Sequence, residues 1–406
     1  MASRPSQSNS PAYLQGPRIL MLVCVAGLTL LGLVMVYSTS SIDAVAYGRN
    51  MFRDVGMQAL YACVGIALGL VVWKALPYHL WASRFVWVIW GVSVALLILT
   101  AAVGVNVNGA QRWLNIGIGR IQPSEFAKIG LLLTAIYIYY MYDSGAFDPR
   151  ATAAAFIVAV LVPLMFLFFT QSDLGTTAVL ALAIVAVLWF GGVRASAVIG
   201  LLGVLFLFGL MAILRSGYRS DRMVFLDPFN DGENGLGTGY QMTRSYIAIV
   251  SGGLFGVGLG GSHEKYQYLF ASDCDFIYSI IIEELGLVGG LVVVVLFLGL
   301  LVAGLRIAES APDSLGAMIA GAATIMLVGQ AFLNMGSAIG ALPTTGKPLP
   351  FVSSGGSSVM ASFILVGLIL SVSRGTRATS VYEQRRDNLR VVKSNNSAAA
   401  RARRRR

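Results

Sequence analysis

Apolar residues in this chain come in unbroken runs, with neither a helical nor a strand period. The runs lie near residues 19–37, 56–73, 80–103, 126–142, 152–170, 174–192, 195–214, 276–305, 316–340 and 357–373. A helix needs about 20 such residues to cross the hydrocarbon of a bilayer, and tilt absorbs the longer and shorter runs. The pattern predicts an all-α polytopic membrane protein with ten transmembrane helices. Residues 1–17, rich in Ser and Pro, read as a disordered N-terminus, 18–374 as the membrane domain, and 375–406 as a basic disordered tail. The first run is longer than a signal-peptide core and is followed by no clean cleavage site, so it reads as a retained anchor.

Ten spans place both termini on one side. The tail from Arg374 onward holds eleven Lys/Arg against Glu383 and Asp387, about +9 of the chain's net +10. With Lys74, Arg150, Arg194 and Arg306 in alternate loops, it marks that side as cytoplasmic by the positive-inside rule. A solvated tail against anionic headgroups accounts for the charge, and nucleic acid is not an expected partner. The segment 215–275 then becomes a large extracytoplasmic loop between spans 7 and 8, and 104–125 and 341–356 share its side. Only 12% of residues are charged, against about 25% in soluble domains, so the acids near these spans stand out. The three cysteines, Cys24, Cys63 and Cys274, suggest no disulfide framework.

The chemistry is gathered on the outer side. In 108–128 Pro123 suits the first position of a helix, which puts Ser124, Glu125 and Lys128 on one face with Glu125 in reach of Lys128. Ser172 or Asp173 is a cap for the next span, and Gly175 permits close packing. Arg215, Arg219 and Arg222 make a basic stripe if their helix continues, which suits either a diphosphate or interfacial snorkelling. Glycines 252, 253, 256, 258, 260 and 261 lack a strand-then-helix context, so they suggest close packing of a re-entrant or surface helix and no nucleotide loop. Asp275, Glu283 and Glu284 stand where the eighth apolar run begins. An acid there is a functional candidate, because burying its charge in a bilayer is costly. If Asp275 opens the helix, Glu283 lies about 80° round from it and Glu284 about 180°, which disfavours a metal held by all three. Ser357 or Ser358 is the expected cap of the tenth span.

Taken in order, these motifs resemble the SEDS family of shape, elongation, division and sporulation proteins, typified by FtsW and RodA. The resemblance rests on Gly109-Ala110 with Arg112-Trp113, Gln122-Pro123-Ser124-Glu125 with Lys128, Asp173-Leu174-Gly175-Thr176, Gly239-Tyr240-Gln241, Ser251-Gly252-Gly253, Asp275-Phe276-Ile277, Glu283-Glu284-Leu285-Gly286, and Leu342-Pro343 through Gly355-Gly356-Ser357-Ser358. It covers about residues 15–375. The segment Arg219-Ser220-Asp221-Arg222 with Leu226-Asp227-Pro228 looks more like the division branch. The chain departs from the family pattern at Phe270, Ala271, Ser272, Asp273, Cys274 and Ser354, which makes Asp273 a second candidate acid.

The resemblance implies a peptidoglycan glycosyltransferase of the bacterial plasma membrane. Such an enzyme polymerises lipid II, the undecaprenyl-diphosphate-linked disaccharide pentapeptide, with inversion at the anomeric carbon and release of undecaprenyl diphosphate. It implies Asp275 as the catalytic aspartate, and a class B penicillin-binding protein and other divisome or elongasome membrane proteins as partners. The reaction needs a base for the attacking hydroxyl and positive charge for the leaving group. Asp275 suits the first. Arg112, Lys128, Arg215, Arg219 and Arg222 suit the second, with or without a divalent cation, Mg²⁺ or Mn²⁺, for which no ligand set is evident. Ser124, Glu125, Gln241, Lys265, Glu283 and Ser357 complete the expected substrate-binding set, and hydrophobic grooves between spans are expected to hold the lipid tails. The rival readings are a lipid II flippase and a non-catalytic scaffold for the penicillin-binding protein.

Overall fold

A computed structural model describes residues 12–375 apart from residues 47, 49, 108–109, 116, 118–119, 216–226, 232 and 234. Helices occur at all ten predicted runs: α1 (Ala12–Ala46), α2 (Arg53–Lys74), α3 (Phe85–Val103), α4 (Pro123–Asp143), α5 (Pro149–Phe169), α6 (Leu174–Phe190), α7 (Ala195–Arg215), α9 (Ile277–Glu309), α10 (Ser314–Ala338) and α11 (Gly356–Gly375). Between α7 and α9 lies α8 (Tyr240–Gly252), short and one-sided, with Met242, Ser245, Ala248 and Gly252 buried at helical spacing. Among the described helices seven are long and apolar enough to cross a membrane: α1, α2, α3, α5, α9, α10 and α11. Helix α1 begins at Ala12, inside the stretch expected to be disordered, because Arg18 ties it down by hydrogen bonds to the hydroxyl and carbonyl of Ser373.

Helices α10 and α11 are the centre of the bundle. Of their most apolar stretches 78% and 89% of residues are buried, against 22% for α2 and α3, where leucines and valines such as Leu60, Val71, Val88 and Leu99 face outward as a lipid solvent allows. Small residues set how closely the helices approach. A Cβ on Gly69 of α2 would stand 2.6 Å from the carbonyl oxygen of Phe363, and one on Gly367 of α11 would stand 2.5 Å from that of Gly69. A five-residue π-helical segment in α5, Ile157–Leu161, loosens its hydrogen-bond ladder, and the Ala159 carbonyl accepts the Trp90 indole N–H at 2.7 Å.

Two segments between helices differ from the expectation. Residues expected only to lead into α4 form a small antiparallel sheet of β1 (Val105–Val107), β2 (Ala110–Asn115) and β3 (Arg120–Ile121), in the order β1-β2-β3. The eighth span does not begin at Asp275. Residues 270–276 are turns, α9 starts at Ile277, and the helix is broken at Gly286 (φ 73°, ψ −177°). Asp275 therefore does not lie on the same helix as Glu283 and Glu284, and the angular argument relating the three does not apply.

The break explains the glycine run. A broken helix in a membrane leaves carbonyls and amides that need new partners. The carbonyls of Glu283 and Glu284 accept from the N–H groups of Val257 and Gly258 at 2.9 and 3.0 Å, and the N–H groups of Leu287 and Val288 donate to the carbonyls of Gly253 and Leu254 at 2.9 and 3.3 Å. Backbone pairing of this kind requires contact without side chains. A Cβ on Gly252, Gly256 or Gly286 would come within 2.0 to 2.2 Å of a backbone oxygen.

Gly286→Ala is therefore expected to abolish or severely reduce the yield of folded protein, since it combines a left-handed φ with a backbone overlap. Gly91→Ala, on an open face of α3 where an added Cβ meets nothing within 4 Å, is expected to leave the detergent melting temperature unchanged or raise it. Equal melting curves for the two variants would contradict this account of the break.

Candidate active site

Where α4, α6 and α11 begin and α10 ends, four charged side chains are almost wholly withdrawn from solvent. Pro123 at the start of α4 sets Glu125 and Lys128 one turn apart on its inner face. Lys128 Nζ lies 2.6 Å from Glu125 Oε2 and donates to Gln330 Oε1 of α10 at 2.6 Å. Asp173 caps α6 as expected, accepting the Thr176 N–H at 3.0 Å through Oδ1. Its Oδ2 accepts from the Thr176 and Ser124 hydroxyls at 2.8 and 3.3 Å. Between the two acids stands Lys347, with Nζ 3.2 Å from Glu125 Oε1 and 3.0 Å from Asp173 Oδ2. Burial pulls the Lys347 pKa down, but Asp173 and then Glu125 outweigh it, and the net direction is up, so the ammonium stays charged. Two acids and two lysines cancel in charge, which is the condition for burying all four.

Lys347 reaches this position because its loop, residues 341–355, is pinned on both sides. A Cβ on Gly175 would stand 2.4 Å from Lys347 Cγ, so only glycine lets the side chain pass the first turn of α6. Asn334 of α10 donates through Nδ2 to the carbonyls of Lys347 at 2.7 Å and of Asp275 at 2.9 Å, and so ties the lysine loop to the aspartate loop. Ser353 donates to the Cys274 carbonyl at 2.6 Å, and the Ser354 N–H donates to the Asp273 carbonyl at 2.8 Å. Asp275 is half-buried, and its Oδ2 lies 3.8 Å from where a Cβ on Gly346 would be. Burial, followed by the Asp275 and Asp273 carboxylates, pushes the neighbouring Cys274 thiol well up. Among the described residues, Gln171 Oε1, Asn334 Oδ1 and Thr345 Oγ1 around this centre are buried without a hydrogen-bond partner, as befits a place that receives a polar ligand or water.

The other expected site residues are distributed unevenly. Arg112 of β2 joins the centre, donating to the carbonyls of Gln171 and Ser172 at 2.9 and 2.7 Å and so bracing the turn before Asp173. Ser357 does not cap α11. Its hydroxyl accepts the Gln122 N–H at 2.9 Å and fixes the start of α4, while Ser358 accepts from Gln330 at 3.3 Å. Glu283 and Lys265 belong to a second buried cluster beside the helix break. Glu283 accepts from the Ser262 hydroxyl and from the His263 N–H at 2.8 Å. Lys265 lies 2.6 Å from Glu284 Oε1 and donates to Ser38 of α1 at 2.9 Å. Gln241 is exposed on α8. Arg215 ends α7 with its side chain outside the description, and Arg219 and Arg222 lie outside the described residues. No cluster of three metal-ligating side chains occurs among the described residues.

Sequence reasoning missed Lys347, Gln330 and Asn334. The signal for the last two was a lone amide inside an apolar run, and for Lys347 a lysine among prolines and glycines. It also missed Arg244 of α8, which stacks on Tyr240 and Tyr268 at 5.2 and 5.0 Å and faces the buried Glu264 at 3.6 Å.

Comparison with known proteins places this arrangement. The model of the FtsW, RodA and SpoVE family, described as cell cycle proteins, matches residues 18–378. The chain is 34% identical over 372 residues to a probable peptidoglycan glycosyltransferase FtsW of Geobacter metallireducens, covering 89% of this chain and 95% of that one. It is 33% identical over 368 residues to the stage V sporulation protein E of Bacillus subtilis, with 89% and 98% covered. Its fold is similar to a chain of a solved peptidoglycan synthase complex, with a TM-score of 0.70, 26% identity and 89% and 98% of the two chains covered. It is also similar to the rod shape determining protein RodA of Thermus thermophilus, with a TM-score of 0.63, 26% identity and 89% and 97% covered.

Breaking the charge balance tests the geometry directly. Lys347→Met takes the ammonium from buried Asp173 and leaves Glu125 with Lys128 alone, and is expected to cost about 3 to 5 kcal/mol of stability. Adding Asp173→Asn should recover part of it in the melting temperature, because the two changes share one interaction. Strict additivity would place the lysine outside the network. Lys128→Met, which keeps the apolar stem, should likewise destabilise by leaving Glu125 with one cation, and an unchanged melting temperature would contradict the pairing.

Proposed function

Since the chain belongs to the FtsW, RodA and SpoVE family of cell cycle proteins, we propose that it polymerises lipid II into peptidoglycan glycan strands on the outer face of the bacterial plasma membrane. The protein is a peptidoglycan glycosyltransferase of the multi-pass membrane class. The observation that supports the mechanism best is the placement of Asp275. It is a half-buried carboxylate at the mouth of a charge-neutral buried network, held through its own backbone by Asn334. A carboxylate so placed accepts the proton of the 4-hydroxyl of one lipid-linked sugar as that oxygen attacks the anomeric carbon of another. The anomeric carbon inverts, and undecaprenyl diphosphate leaves. Lys347, Lys128 and Arg112 supply the nearby positive field, although each is also committed to a carboxylate or carbonyl in the resting protein. A divalent cation would add charge for the diphosphate.

The full reading has ten spans with both termini cytoplasmic, and the division branch is favoured by the FtsW-named relatives. A class B penicillin-binding protein is the proposed partner, in line with the synthase complex to which the fold is similar. One feature favours the flippase alternative, because a discontinuous helix such as α9 is common in transporters. Here, however, the break is filled by the backbone of residues 253–258, which takes up the hydrogen bonds of the broken ladder.

Reconstitution in vesicles separates these readings. The purified protein with its partner is expected to convert lipid II in the outward leaflet into glycan chains, whereas transfer of lipid II between leaflets without polymer would support the transporter. Removing residues 380–406 is expected to leave polymerisation within a few-fold, since a segment of that composition buries no core. Complete loss in a folded truncation would contradict this.

A further inference from the structure

On the opposite side of the bundle from Asp275, the start of α1 and the ends of α2 and α11 come together. There Trp73, Lys74, Tyr78, His79, Ser371 and Arg374 line a notch of about 250 Å³. Its cations outnumber its acids. Among the described residues the carboxylate beside it is Asp313, which accepts from Tyr78 at 3.0 Å, lies 3.7 Å from His79, and caps α10 through the Gly316 N–H. Lys74 is exposed, with its ammonium 5.6 Å from the Trp73 ring. Arg374 spends Nη1 on the carbonyls of Trp73 and Lys74, and its guanidinium fork has five N–H groups to give. Arg18, tied to Ser373, adds a further positive charge.

A second cavity begins where the first ends. A groove of about 480 Å³ runs between α1, α2 and α11, lined by Leu22 and Leu33 at its limits on α1, by Ala59 and Ile66 on α2, and by Phe363 on α11. Trp73 lines both cavities. Its indole N–H is buried and has no hydrogen-bond partner among the described residues. At 1.5 Å per residue, the groove follows α1 for about 16 Å toward the membrane centre. A cationic notch joined through an amphipathic tryptophan to a long apolar channel has the polarity profile of one phospholipid.

We propose that the notch and groove together bind an anionic phospholipid of the leaflet on the termini side, with its phosphate on Lys74 and Arg374 and one acyl chain between α1, α2 and α11. Charge selects this occupant. The chain's own C-terminal segment carries about +9 and has the wrong sign for the notch, and a polyprenyl diphosphate used at Asp275 presents its head at the other face. The inference does not depend on glycan polymerisation, because lipid binding is read by itself.

The test is native mass spectrometry of the full-length protein titrated with phosphatidylglycerol, phosphatidylcholine or tail-free glycerol 3-phosphate, with Trp73 fluorescence quenched by brominated acyl chains as the local readout. Phosphatidylglycerol is expected to bind best and to quench wild type but not Trp73→Phe at this site. Loss of each cation should weaken it roughly fivefold, so Lys74→Gln with Arg374→Gln should weaken it roughly 25-fold. Should the double variant fail to fold, Lys74→Gln alone, which breaks no hydrogen bond described here, is expected to show the fivefold loss. Ala26 of α1 also lines the groove, and Ala26→Trp, which fills it, should weaken both lipids alike. Equal binding of the two lipids, an unchanged affinity in Lys74→Gln, or displacement by glycerol 3-phosphate alone would overturn the proposal. The last result would identify a free-anion site.

Discussion

The half of this protein that carries Asp275 depends on one buried ammonium. Lys347 is the only tie among the described residues between the acid of α4 and the acid that caps α6, and it is carried by a loop with no regular structure of its own. Two carboxylates and two lysines in a protein interior tolerate the loss of water only while every charge has its opposite within hydrogen-bond distance. The helix starts, the glycine at 175 that lets the lysine through, and Gln330 beneath it all follow from keeping that balance. Asp275 inherits its position from the same arrangement, because one side chain, Asn334, holds both its carbonyl and that of Lys347.

The second constraint is the bilayer's intolerance of unpaired backbone. Gly286 breaks α9 eleven residues after Asp275, and the broken ladder is completed by the backbone of residues 253–258, with Gly256 at the closest contact. The acids just before the break are held by different partners. Glu283 receives Ser262 and the backbone of the residues that follow it, while Glu284 receives Lys265 and Ser38 of α1. This second cluster locks α1, α9 and the loop of residues 253–276 into one unit, on which the aspartate turn rests.

Much of this was legible in the sequence where a signal was local. Helices stand at all ten apolar runs, Pro123 opens α4, Asp173 caps α6, and Glu125 pairs with Lys128 one turn later. Each of these depends on residues within four positions of one another. What could not be read was long-range or depended on backbone geometry. No local pattern says that Lys347 completes a pair more than 200 residues upstream, or that Ser357 serves the start of α4 and not its own helix. The break at Gly286 was hidden because a glycine inside a long apolar run reads as a packing residue, and the acids were related to Asp275 on one helix that in fact starts only at Ile277. The small sheet before α4 escaped for the opposite reason, since its short strands sit in a glycine-rich stretch that reads as loop.

The central claim is that Asp275 accepts the proton of the attacking hydroxyl. The measurement that tests it most directly is glycan yield from lipid II by purified Asp275→Asn, beside Asp273→Asn and wild type at matched protein and partner levels. The amide keeps the shape of the side chain and removes its basicity. The account predicts a fall of about 10² to 10⁴ in rate for Asp275→Asn with an unchanged melting temperature, and near-normal polymer from Asp273→Asn. Normal polymer from Asp275→Asn, with loss only on changing Asp273, would contradict it and move the base two residues upstream.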